Sequence, residues 1–357
     1  MKKTGIIIFS LFSLTVLGQE IDSTKVDEIE IYEKIMYGMN SGLFKNQKYY
    51  SELDENYKLP WVEKKYTNKQ LESALDTLAI NSKIKIIDDP FSDLVIEFDS
   101  YFPSYIKGGL SNIFKLLILN NQIKDQNLKN IQIKKDGSVT FGSKFSSGFK
   151  DGKSYSNDWK TITKSFKISS KENKENLKGK IKFKSSFILD YHYVKINKLN
   201  KGQSLKIGSL DFKVIDFYEN KVILDFKQNT EEINFSFVNI DDYGNRISQI
   251  PYFNFEKLKN DDKSIPSDAT SIPEGGMAVS KVNYDIFKAD PNLSFYDYKK
   301  IVRPIFIEIL NSKQPKEKAA KVWGNKYRAF SSSDVMLNFI LFYPKNHIEK
   351  EFELTIE

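Results

Sequence analysis

The residues of this chain that could do acid–base or nucleophilic chemistry are few, and their spacing decides what each could do. Carboxylates come first. Glu97 and Asp99 stand two apart in the run Leu94-Val-Ile-Glu-Phe-Asp99, so on a strand both side chains share one face. Glycoside hydrolysis needs such a pair, one group as acid and the other as base or nucleophile. Glu97 and Asp99 are therefore the catalytic candidates. Asp88-Asp89 and Asp93 lie near them in sequence. Asp241-Asp242 and Asp261-Asp262 sit in turn-like contexts, where aspartate is expected for its bonds to nearby backbone. None of these runs has the spacing of a calcium loop.

Histidine and serine offer less. His192 and His347 are the only two histidines, and there is no cysteine. Neither histidine has a metal-ligand neighbour at helical or hairpin spacing, so no metal and no cofactor is expected. Ser82-Lys-Ile-Lys85 and Ser147-Gly-Phe-Lys150 both read Ser-x-x-Lys, and Tyr155-Ser-Asn157 follows the second closely. In penicillin-recognising enzymes the nucleophile opens a helix and the second motif comes from a distant element, so the spacing here excludes that chemistry. Gly108-Gly109 and Gly275-Gly276 are isolated pairs and build no phosphate loop. Aromatic pairs such as Tyr101-Phe102 read as core and rim rather than as a sugar platform.

The charge pattern has one anomaly. From Lys160 to Lys206 thirteen lysines stand against Glu172, Glu175 and Asp190. Lys180, Lys182 and Lys184 share one strand face and are the binding candidates, for an anionic envelope polymer or another envelope protein. The whole chain carries +7, or +5 without Lys2 and Lys3. Its only arginines are Arg246, Arg303 and Arg328. Lysine is a point charge and lacks the planar fork that grips phosphate, so no nucleic-acid partner is expected.

These groups must be carried by a chain that reads as exported. Lys2-Lys3 precede an uncharged apolar run over 5–17, and Val16 and Gly18 suit a cut before Gln19. Residues 1–18 therefore read as a signal peptide. The run is shorter than the ~20 residues of a spanning helix, and no later stretch is long and apolar enough, so no transmembrane span is expected after cleavage. The absence of cysteine removes disulfides and a lipidated anchor, leaving the core alone to hold the fold. The expected location is the periplasm or the cell surface.

Periodicity supplies the elements. Thr67-Asn-Lys-Gln70 is a capping box, followed by Leu71, Ala74, Leu75, Leu78 and Ala79 at helical spacing. The run Val26-Asp-Glu-Ile-Glu-Ile31 alternates like a strand, with a helix through Met36 and Met39 as the alternative. Leu94 to Phe98 reads as a strand. Ser111 reads as the cap of a second helix bearing Leu110, Ile113, Phe114, Leu117 and Ile118. Residues 131–141 read as a hairpin turning at Asp136-Gly137, and 142–176 as a loop and boundary. Beyond it, short alternating runs recur about every 10 residues, the rhythm of an antiparallel sandwich. Ile305-Phe-Ile-Glu-Ile309, Val335 to Phe342 and the last residues, with Phe352, Leu354 and Ile356, read as further strands.

The fold expected is mainly β, with a mixed α+β region over 19–176 and an antiparallel immunoglobulin-like β-sandwich over 177–357, interrupted by a linker at 259–277. The function expected is a non-catalytic binding or scaffold protein of the bacterial cell envelope. The alternatives are a carboxylate-dependent hydrolase of envelope or extracellular polymers and a surface adhesin.

Overall fold

A computed structural model describes residues 23–44, 51–62, 64–88, 94–150, 152–168, 173–218, 220–250, 252–261, 265, 275–332 and 335–356. In chain order the elements are α1 (Ser23–Phe44), β1 (Ser51–Asp54), α2 (Asn68–Asn81), β2 (Lys83–Ile87), β3 (Val95–Tyr101), β4 (Phe114–Asn121), β5 (Ile133–Lys150), β6 (Lys153–Ile168), β7 (Gly179–Ile196), β8 (Ser204–Ile207), β9 (Leu210–Phe217), β10 (Lys221–Phe226), β11 (Ser236–Ile240), β12 (Arg246–Gln249), α3 (Tyr252–Asp261), β13 (Gly275–Ser280), α4 (Lys281–Ala289), α5 (Phe295–Leu310), α6 (Pro315–Trp323), β14 (Lys326–Ser331) and β15 (Asn338–Ile356). The protein is mainly antiparallel β: the described residues are 45% strand and form three sheets and six helices. No described helix is long and apolar enough to cross a membrane. The expected signal peptide, Asp89, Asp93, Asp262 and most of the 259–277 linker lie outside the described residues.

The chain forms two compact units, Met1–Tyr57 with Tyr193–Phe342, and Lys58–His192 with Tyr343–Glu357. The second unit keeps residues on both sides of position 176 together. In it, β2-β3-β6-β5 form a sheet, and β4 pairs with β7, which neighbours the later part of β15. α2 forms as its spacing predicts. The Thr67 hydroxyl accepts from the Gln70 amide at 3.3 Å, and the Gln70 side chain accepts from the Thr67 amide at 2.9 Å. The buried stripe Leu71, Ala74, Leu75 and Leu78 shares one core with Ile96, Phe98, Phe166 and Phe183. Thr67→Ala should lower the stability of this unit by about 1 kcal/mol, read as a shifted urea midpoint. An unmoved midpoint would show that the cap is redundant.

Three readings in this unit are corrected. The helix expected from Ser111 is the strand β4: Phe114 and Leu116 point inward, whereas Leu117 and Leu119 are exposed, a two-residue alternation that a helical stripe cannot produce. Asp136-Gly137 makes no turn, because β5 runs straight through it with a register shift between Asp136 and Val139. Gly137 is needed there for close approach: a β-carbon on it would stand 2.4 Å from the Ser165 carbonyl oxygen. Most of the expected 142–176 loop is instead the hairpin β5–β6, whose turn places Gly152 at φ +73°.

The first unit holds the sheet β13-β14-β10-β9-β8, and β1-β12-β11 beside residues 338–342 of β15. Ile223 and Ala329 share a core with residues of α1, α4 and α5, among them Phe44, Phe287, Tyr298 and Val302. Residues 26–31 are helical, contrary to the alternating-strand reading. The buried positions Ile29, Glu33, Asn40, Leu43 and Phe44 recur at helical spacing, and Glu33 in their midst hides the stripe from a hydrophobicity scan. The run 305–309 is likewise helical. Its inward positions Tyr298, Val302, Phe306 and Ile309 are spaced by three and four. The described residues of the second half therefore carry four helices beside their antiparallel strands, which an immunoglobulin-like sandwich does not predict.

Candidate functional site

β2 and β3 place the expected catalytic pair on a partly exposed face. Lys85 stands directly opposite Glu97 across the two strands. Its Nζ lies 2.6 Å from Glu97 and 3.8 Å from Asp99, and Asp99 also accepts from the Thr163 hydroxyl at 3.0 Å. One lysine thus serves both carboxylates.

The three candidate binding lysines meet partners from the far end of the chain. Lys180 lies 2.7 Å from Glu353, Lys182 2.6 Å from Glu351 and Lys184 3.3 Å from Glu349. The strand face is a ladder of alternating charge, each exposed rung contributing about 0.2–1 kcal/mol.

The histidines stay apart. His192 packs on the Tyr343 ring at 5.0 Å. Burial, with Lys115 and Lys184 nearby, holds His347 below the usual imidazole range against the pull of Glu349. Among the described residues no group of three His, Asp or Glu side chains could hold a metal ion. Ser82 closes α2 and donates to the Leu78 carbonyl at 2.7 Å. Asp241 spends its carboxylate on the backbone amides of Tyr243 and Asn245, the expected turn chemistry.

A buried charged constellation lies elsewhere. Ile223 pairs with Asp216 and Leu224 with Val214, so Ile215 is an extra residue in β9. The bulge turns Asp216 to the helix side of the sheet. There its carboxylate, 1% exposed, meets Lys201 at 2.5 Å, Lys288 at 3.0 Å and the Tyr284 hydroxyl at 3.0 Å. Burial pushes the carboxyl up, but hydrogen bonds from Lys201, Lys288 and Tyr284 outweigh it and hold the group at about 2. The bond to Asp216 raises Lys288, and burial first, then the Asp216 charge, raises Tyr218 and Tyr284. Every perturbed group is driven away from neutral pH. A general acid or base needs the opposite, so this cluster is a clamp joining β9 to α4.

The same unit contains an open polar cleft of about 510 Å³. Asp225, Thr230, Glu231, Lys281, Lys326 and Arg328 line it. Lys281 reaches Asp225 at 3.1 Å and Lys326 reaches Glu231 at 3.3 Å. Arg328, on β14, is half-buried and has no ion-pair partner among the described residues. Its Nε and Nη2 donate to the hydroxyl and carbonyl oxygens of Thr230, at 3.2 and 2.6 Å. Burial lowers its pKa, against the pull of Glu231. A guanidinium fixed along one edge keeps its remaining donors for a ligand, the geometry with which arginine binds carboxylate or phosphate.

No protein-family model matches this chain. No curated protein is significantly similar to it either. Its function therefore rests on the chemistry of these groups. The cleft and the clamp were not legible as sites, but a signal existed. In a chain whose cations are nearly all lysine, two of the three arginines, Arg303 and Arg328, are used where a fixed fork of donors is required.

Proposed function

We propose that this chain is a non-catalytic binding or scaffold protein exported to the bacterial cell envelope, with the polar cleft as its binding site. The observation that carries the reading is Arg328, a half-buried cation held by Thr230 and paired with no carboxylate among the described residues. The ligand chemistry this favours is a polar anion, such as a carboxylate or phosphate group on an envelope polymer. Glu97 and Asp99 support binding over hydrolysis, because both are tied to Lys85 on one partly exposed strand face rather than facing each other across a cleft.

The test is salt extraction of isolated envelopes, with mass spectrometry of the protein's N-terminus. The mature chain should begin at Gln19 and remain with the envelope fraction. Arg328→Met should leave it at lower salt than the wild type, and Glu97→Gln with Asp99→Asn should leave retention unchanged. An intact Met1 in the cytoplasm, or equal release of the wild type and Arg328→Met, would overturn the proposal.

A further inference from the structure

The hairpin β5–β6 outruns its sheet. β3 covers β6 only from Thr161 to Lys167, so residues 142–150 and 153–160 continue as a two-stranded ribbon. Side chains alternate across it. Phe141, Phe145 and Phe149 fall on one face, the face that Ile162 extends across the pair. Phe141 and Ile162 belong to the core at the base of the hairpin. Phe145 and Phe149 carry the same stripe out into solvent, 66% and 75% exposed. A two-stranded ribbon alone has little to stabilise it and nothing to bury an apolar face against.

We infer that the ribbon seats on an anionic lipid surface, with Phe145 and Phe149 entering the headgroup–acyl boundary. Two features favour lipid over a folded partner. Paired rings standing proud of a thin ribbon are convex, and a fluid interface accepts them without a preformed pocket. The ribbon is also basic: residues 142–160 hold four lysines against Asp151 and Asp158. Lys144 and Lys153 are exposed, and Lys160 bonds the Ser143 hydroxyl at 2.6 Å. Aromatic residues flanked by lysine are the composition that binds the interface of an anionic bilayer. The inference is independent of the cleft, so Arg328→Met should not affect it.

The test is sedimentation of the purified mature chain with vesicles of phosphatidylglycerol and phosphatidylethanolamine, against vesicles of phosphatidylcholine alone. The wild type should pellet with the anionic vesicles, and less so as salt rises. Phe145→Ser with Phe149→Ser should weaken binding at least about tenfold, because both rings then lose their burial in the interface. Both positions are exposed, so the fold should survive, and an unchanged melting curve checks it. Phe145→Leu with Phe149→Leu should restore most binding. Phe149→Trp should shift its emission to the blue on vesicles. A wild type that stays in the supernatant, or a serine variant that binds equally well, would overturn the inference. So would a ring-dependent dimer formed without lipid, which would give the ribbon to a second copy of the chain.

Discussion

Replacing Glu33 by alanine is expected to lower the unfolding free energy of the unit that contains α1 by about 3–5 kcal/mol. Glu33 is fully buried on α1, and Arg303 of α5 meets it as a fork, Nε at 2.9 Å and Nη2 at 2.6 Å. Arg303 also lies 3.6 Å from Glu30, which bonds Lys299 and Lys34. Removing the carboxylate leaves a guanidinium that is only 26% exposed, with Glu30, already shared by Lys299 and Lys34, as its remaining carboxylate neighbour. Desolvating a charge costs several kcal/mol when its direct partner is lost, and this asymmetry sets the size of the effect. Arg303→Ala should cost a similar amount, because the abandoned carboxylate is the more deeply buried partner. The double change Glu33→Leu with Arg303→Met should recover much of the loss, since a packed apolar pair carries no such penalty. Urea denaturation of the four proteins decides it. If both single variants lose less than about 1 kcal/mol, the pair is solvated and the assignment fails.

Asp216→Asn should remove about 3 kcal/mol at pH 7 and flatten the acid side of the stability profile. The cost falls at the lower end for a buried pair because Lys201 and Lys288 are about half exposed and can turn to water. The sign of the pH effect follows from the carboxyl's value of about 2 in the fold, against 3.8 ordinarily. A carboxylate held below its unfolded value stabilises the fold at pH above that value. Its contribution, on the order of 2.5 kcal/mol, fades as pH falls from about 5 toward 2. Wild-type urea midpoints should therefore drop between pH 6 and pH 3 by more than those of Asp216→Asn. The difference between the two isolates Asp216 from Glu30, which Lys299 and Lys34 also hold at about 2. Parallel midpoint curves would show that the clamp contributes nothing in acid.

What the sequence determined by itself is local. Thr67 to Gln70 and the stripe behind them specify α2, because a capping box and a 3.6-residue period both lie within one segment. The alternations of Leu94 to Phe98 and of Phe352, Leu354 and Ile356 specify β3 and the last part of β15 for the same reason. The missing cysteines rule out disulfides directly.

The failures share one cause. A strand period and a helix period cannot be told apart where a polar residue occupies an inward position, as Glu33 does in α1, or where a short apolar run fits both, as in β4 and α5. Only the tertiary structure decided how charged residues are used. Lys180, Lys182 and Lys184 read as a basic face, and nothing local to them points to Glu349, Glu351 and Glu353. Their pairing joins residues 165 to 173 positions apart. The fork between Glu33 and Arg303 spans 270 positions, and Asp216 faces α4 only because one bulged residue turns it. Local periodicity encodes which face a side chain takes. It carries no information about which distant strand or helix will lie against that face, and that choice is what separates a free charge from a paired one.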